Sequence, residues 1–164
     1  MERHKHIVNV NNLEWTEKSH GERFGYQRKA FTLPAGGEKL GCSLFRVPAG
    51  RTAFPLHRHH ANEEAIYILS GEGTLRLDDA AHAVGSGDYI VLPAEGPAHQ
   101  LINTGTEALE YLCLSTMITP EVVEYPDSGK IGAIAGTPPG GDPAQRTIYR
   151  FYKSEAVVDY YEGE

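Results

Sequence analysis

Apolar residues in this chain fall in short runs and not at a sustained 3.6-residue spacing, so the pattern predicts strands and few helices. The runs are LGCSLFRV (40–47), EAIYILS (64–70), TLRLD (74–78), DYIVLP (88–93), HQLIN (99–103) and LEYLCLST (109–116). All are rich in β-branched and aromatic residues. Turn formers separate them: Pro48-Ala-Gly50, Gly71-Glu-Gly73, Asp78-Asp79, Gly85-Ser-Gly87 and Asn103-Thr-Gly105. Short strands spaced about 8–12 residues apart predict an all-β sandwich or barrel. No internal repeat is visible, so a single barrel is expected.

The flanks read differently. Residues 1–38 are mixed and predict an N-terminal arm with one or two irregular strands, packed on a barrel core at 39–119. Residues 120–164 make a short C-terminal extension. Within it, 126–143 holds five glycines and four prolines and is expected to be a long loop. It is either a lid over a barrel mouth or a packing segment, and the apolar Ile131, Ala133, Ile134 and Ala135 favour packing. TIYRFY (147–152) reads as a further strand. The tail SEAVVDYYEGE carries enough aromatic area to dock on the barrel or on another subunit.

Composition narrows the classes. A length of 164 residues fits one domain. With 40% hydrophobic and 23% charged residues it is no collagen, coiled coil or wholly disordered chain. A net charge of −7 without basic runs argues against nucleic acid, because phosphate neutralisation needs clustered lysine and arginine. Cys42 and Cys113 sit in apolar stretches and read as reduced thiols; no CxxC pair exists to hold zinc. The longest strand-like apolar stretch, Ala65–Leu69, is too short to span a membrane, and no signal-like run opens the chain. A cytoplasmic location and a homodimer that covers exposed strand edges are therefore expected.

Chemistry concentrates in two segments. In Gly50-RTAFPL-His57-Arg-His59-HANE-Glu64-AIYILS-Gly71, His57 and His59 stand two apart and share one face of a strand. Glu64 opens the next strand and offers a hard anionic oxygen. His60 has the wrong parity. Glu63 fits a shorter gap after His59 but leaves seven residues before Gly71, so Glu64 is preferred. The second segment, Gly87-DYIVL-Pro93-AE-Gly96-PA-His99-QLI-Asn103, brings another histidine to a strand start. Three histidines and a carboxylate suit zinc, iron, nickel or manganese better than calcium or magnesium.

These segments resemble the two signature motifs of the cupin superfamily. His57, His59, Glu64 and Gly71 match the first; Gly87, Pro93, Gly96, His99 and Asn103 match the second. Gly50 lies one residue further from His57 than the pattern has it, and Pro93 one further from Gly96. The resemblance covers about 45–116. It implies a double-stranded β-helix, a conical jelly-roll barrel, in which His57, His59, Glu64 and His99 bind a divalent transition metal. Gly71 and Pro93 would be turn residues, and Asn103 would cap the strand begun by His99.

The layout looks like that of small single-domain bacterial cupins described as sugar-phosphate isomerases by analogy with mannose-6-phosphate isomerase. That resemblance implies a metal-dependent aldose–ketose isomerase, with Glu63 or a metal-bound water as the base. Two other readings stay open: an Fe(II) dioxygenase, and a non-catalytic module that binds a small molecule or metal. Arg46, Arg51 and Lys130 are candidate contacts for an anionic ligand.

Overall fold

Thirteen strands and three single 3-10 turns make up the described part of the computed structural model, residues 3–164. In chain order the strands are β1 (Thr16–His20), β2 (Phe24–Ala30), β3 (Leu40–Val47), β4 (Arg58–His59), β5 (Glu64–Ser70), β6 (Glu72–Leu77) and β7 (Ala80–Gly85). They continue with β8 (Tyr89–Leu92), β9 (His99–Ile102), β10 (Leu109–Thr116), β11 (Glu121–Tyr125), β12 (Lys130–Ala135) and β13 (Ile148–Lys153). All pair antiparallel. One six-stranded sheet runs β1-β2-β3-β10-β5-β8. The facing side is built from β7-β6-β9 and β13-β12-β11-β4. A single bridge at His57–His99 stitches those two pieces together, and Thr52 bridges Ile102 of β9 and Phe24 of β2. The result is the jelly-roll barrel that the motifs imply.

The core follows from alternation. In β3 the inward positions are Gly41, Ser43, Phe45 and Val47; in β5 they are Ile66 and Ile68; in β10 they are Leu109 and Tyr111. Leu92 of β8 extends the cluster within the same sheet, and Leu75 and Leu101 close it from the other side. Phe45 and Tyr111 stack with ring centres 5.3 Å apart. Ile68 is wholly buried. Replacing it by alanine is expected to cost about 2–5 kcal/mol, since truncation leaves a cavity the walls fill only in part. Urea denaturation should show the midpoint falling with an unchanged slope.

The turns also follow from the sequence. Gly71 has φ +84°, and an added Cβ would stand 2.7 Å from the Ala108 carbonyl oxygen. Only glycine meets both demands there. Asn103 is fully buried and holds its turn. Its amide donates to the Val47 and Glu107 carbonyls, and its Oδ1 accepts from the Gly105 amide.

The flanks are more ordered than their composition suggests. Residues before 39 supply two ordered strands to the six-stranded sheet, with β2 registered Gln27↔Arg46 through Ala30↔Ser43 on β3. Residues 126–143 are not one loop: Lys130–Ala135 is a strand paired on both sides, and Ile134 is buried. Only the stretch after Gly136 is loop. Of the two docking places expected for the C-terminal tail, its own barrel is not used, and Tyr160 is 88% exposed.

Candidate metal centre

The two histidine segments meet at the seam between β9 and β4. His57 and His99 form a reciprocal bridge: the His57 amide donates to the His99 carbonyl at 3.1 Å, and the His99 amide donates to the His57 carbonyl at 2.7 Å. Two residues on, His59 pairs with Val123 of β11 and turns its ring to the same side as His57. Ring centres lie 5.0 Å apart for His57–His59 and 4.4 Å for His57–His99. Glu64, at the start of β5, completes the group. Its Oε2 lies 3.2 Å from His99 Nε2 and 3.7 Å from His59 Nε2. One ligand atom from each of the four residues lies within 4.8 Å of all the others. Four donors so close, three nitrogens and one oxygen, fit a single divalent ion with bonds of about 2.0–2.2 Å.

The far sides of the rings are anchored. His57 Nδ1 lies 2.9 Å from the Pro55 carbonyl oxygen, which can only accept, so Nδ1 carries the proton and Nε2 keeps its lone pair. His59 Nδ1 lies 3.2 Å from Glu121 Oε2. Such outer contacts orient ligating imidazoles and raise their basicity.

Glu121 was not foreseen from the sequence. Its carboxylate is 1% exposed and gathers the turn between β4 and β5. The amides of His60 and Ala61 donate to Oε1 at 3.2 and 3.0 Å; the Asn62 amide donates to Oε2 at 3.1 Å, and the Asn62 side chain also donates to Oε2. Asn62 is itself buried, and its Oδ1 accepts from the Ile118 amide and the Thr116 hydroxyl. This network folds the HANE turn so that His59 and Glu64, with four residues between them, face each other. The one available signal was the alternation in EVVEY, which puts Glu121, Val123 and Tyr125 on one face.

The electrostatics follow from burial and neighbours. Burial, helped by the neighbouring imidazoles of His99 and His59, pulls His57 down to about 4. Burial alone would raise Glu64, yet the hydrogen bond from His99 and the charges of the three histidines hold it at about 2. Glu121 also lies at about 2, where donors from His59, Asn62 and Ala61 outweigh its desolvation. His59 moves up, because Glu121 and Glu64 outweigh its burial.

These shifts set an acid response for the metal-free protein. Below its ordinary 6.5, His57 takes a proton when unfolded but not when folded, so stability falls as pH drops from about 6.5 towards 4. At pH 5 the loss from this group is roughly 1–2 kcal/mol. The raised His59 acts with the opposite sign. A His57→Gln variant in EDTA should therefore lose less stability than the parent between pH 7 and 5. Denaturant titrations at both values check this.

The remaining expected residues separate. Glu63 is exposed and does not line the cavity beside the cluster. His60 lies 3.1 Å from Glu124, outside the group, as its parity requires. Arg46 is paired with Glu110, and Arg51 donates to the Phe24 carbonyl. Lys130 lies over the Tyr125 ring. None of these three lines the cavity. Cys42 and Cys113 are free thiols, and burial pushes both up, Cys113 strongly.

The cluster forms part of the wall of a cavity of about 460 Å³. Phe45, Ile66, Leu101 and Tyr111 contribute apolar wall. Tyr125 stacks on His57 with ring centres 6.2 Å apart, and burial pushes its phenol up to about 12, so it stays protonated at neutral pH. After Gly136 the Gly/Pro-rich loop adds Pro139, Gly140 and Arg146 to the same wall. Among the described residues no helix is long and apolar enough to cross a membrane.

Comparison with known proteins agrees with this geometry. Residues 43–115 match the family model of the cupin domain. An uncharacterized protein of Methanocaldococcus jannaschii is 41% identical over 79 residues, 48% of this chain and 62% of that protein. Quercetin 2,3-dioxygenase of Bacillus subtilis is 38% identical over 81 residues, 47% of this chain and 24% of the enzyme. The chain thus spans less than two thirds of the length of these curated relatives. Among solved structures, a candidate sugar phosphate isomerase from Acidithiobacillus ferrooxidans superposes with a TM-score of 0.78 at 24% identity, covering 96% of this chain and 98% of that one. At that identity the likeness shows the fold.

Proposed function

From the premise that this chain is a small cupin built on a single barrel, we propose that it is a metal-dependent aldose–ketose isomerase acting on a small sugar derivative. The observation that carries the reading is the group of His57, His59, Glu64 and His99, set in the wall of a cavity large enough for such a ligand. A divalent ion held there supplies Lewis-acid polarisation of a carbonyl and its neighbouring hydroxyl. His57 and His59 are aimed by Pro55 and Glu121, and Glu64 is ionised at neutral pH. Tyr125, protonated beside His57, donates a hydrogen bond to a substrate oxygen. The apolar walls of Phe45 and Ile66 keep bulk water from the reacting carbons. The fold shared along nearly the whole chain with the candidate sugar phosphate isomerase supports this reading.

A second reading, an Fe(II) dioxygenase, is favoured by the 38% identity to quercetin 2,3-dioxygenase over 81 residues. One experiment separates the two. Metal-loaded protein is incubated in D2O with a panel of aldoses and aldose phosphates, with and without oxygen. The isomerase reading expects ketose carrying deuterium at the exchanged carbon, at equal rates with and without air. Product that forms only with oxygen, with matching oxygen uptake, would overturn it in favour of the second.

A further inference from the structure

The cavity wall inverts the charge of the chain. The protein has 22 acidic and 15 basic residues, yet the single carboxylate on this wall is Glu64, which is engaged with His59 and His99. Three basic side chains line the same space: Lys18 on β1, Arg28 on β2 and Arg146 at the end of the Gly/Pro-rich loop. Among the described residues none of the three forms an ion pair.

Their geometry leaves donors to spare. Arg28 uses Nε on the Ser43 hydroxyl at 2.9 Å, which leaves the outer edge of its guanidinium uncommitted. Arg146 is anchored by Nη2 to the Pro139 carbonyl at 3.0 Å, and its guanidinium lies 4.5 Å over the Tyr149 ring. Its Nε is buried and has no hydrogen-bond partner. Proteins seldom leave a buried guanidinium nitrogen unpaired without a reason. Both arginines line the one cavity, and the Tyr26 and Tyr149 rings line it with them.

Resting on the reading that this cavity holds a substrate against the metal centre, we propose that Arg146 and Arg28, with Lys18 beside them, form a subsite for an anionic group on a small polyhydroxy compound. The planar forks of the arginines suit a phosphoryl or carboxylate group, which can accept two parallel hydrogen bonds from each. The Tyr26 and Tyr149 hydroxyls add neutral donors. Substrate would thus be gripped at two points, its hydroxyls at the histidine cluster and its anionic end at the arginines.

The test is calorimetric titration of metal-loaded protein with glycerol 3-phosphate, glycerate and glycerol. At least one of the two anions should bind tenfold or more tighter than glycerol. The preferred anion tells phosphoryl from carboxylate recognition. Arg146→Met and Arg28→Met should each weaken that anion tenfold or more, with metal content and glycerol binding unchanged. Arg146→Lys, which keeps the charge but loses the fork, should fall between parent and Met. Melting curves confirm that the variants fold. Anion binding indifferent to both arginines, or no anion binding at millimolar concentration, overturns the proposal. Repeating the titration in a His57→Ala/His99→Ala background separates the two ideas. Anion affinity that still depends on Arg146 there supports the subsite even if the metal reading fails. Affinity that vanishes there, and never depended on Arg146, means the anion sat on the metal and sinks the subsite alone.

Discussion

Replacing Glu121 by alanine should destabilise the protein by about 3–5 kcal/mol, the range for breaking a buried charged network by removing one partner. The variant would strand the amides of His60, Ala61 and Asn62, the Asn62 side chain and His59 Nδ1. Each is a donor in a place water reaches poorly, and each unsatisfied donor is costly. Nearly all of the loss should appear in urea denaturation of the metal-free protein. The milder Glu121→Gln keeps the shape and the acceptor for Ala61, but sets an amide against donors at Oε2. It should cost less stability and weaken metal affinity about 10–100-fold, the usual effect of losing the partner of a ligating histidine. A Glu121→Ala protein as stable as the parent would show that the β4–β5 turn holds itself.

Removing metal is the second large effect. A divalent ion at 1,000 times its dissociation constant adds about 4 kcal/mol of apparent stability. EDTA should therefore lower the melting temperature of protein purified with its metal, and zinc or another divalent transition ion should restore it. His59→Ala should abolish the restoration. It should leave the barrel folded, because Phe45, Val47, Ile66, Ile68 and Leu109 form a core independent of the cluster. Elemental analysis should give one ion per chain in the parent. Full occupancy in a His57→Ala/His99→Ala variant would show that the ion lies elsewhere.

The sequence by itself determined the barrel and four residues of its candidate centre. A strand repeats every two residues, so His57 and His59 had to share a face, and the turn formers between apolar runs had to break them into short strands. Gly71 and Asn103 were legible for a similar reason: each satisfies a local backbone demand that few side chains can meet. Where composition misled, packing had overruled it. Lys130–Ala135 looks like loop because Gly129 and Gly136 flank it and Gly132 interrupts it, yet Gly132 lies within a strand under Phe151, where an added Cβ would stand 2.9 Å from the ring. That glycine serves close packing, and nothing near it in the chain says so.

Only the tertiary structure decided which groups surround the four. Glu121 reaches His59 from 62 residues away, across the β4–β11 pairing. Arg146 and Arg28 come to one cavity from opposite ends of the chain, while the nearer Arg46 and Arg51 are spent on Glu110 and the Phe24 carbonyl. Glu63 and Glu64 are neighbours of the same chemistry, and the start of β5 sends one to solvent and the other to the histidines. Spacing along a strand is a local property and can be read from the chain. Which distant side chain satisfies a buried donor depends on strand order and register, which many separate contacts set together.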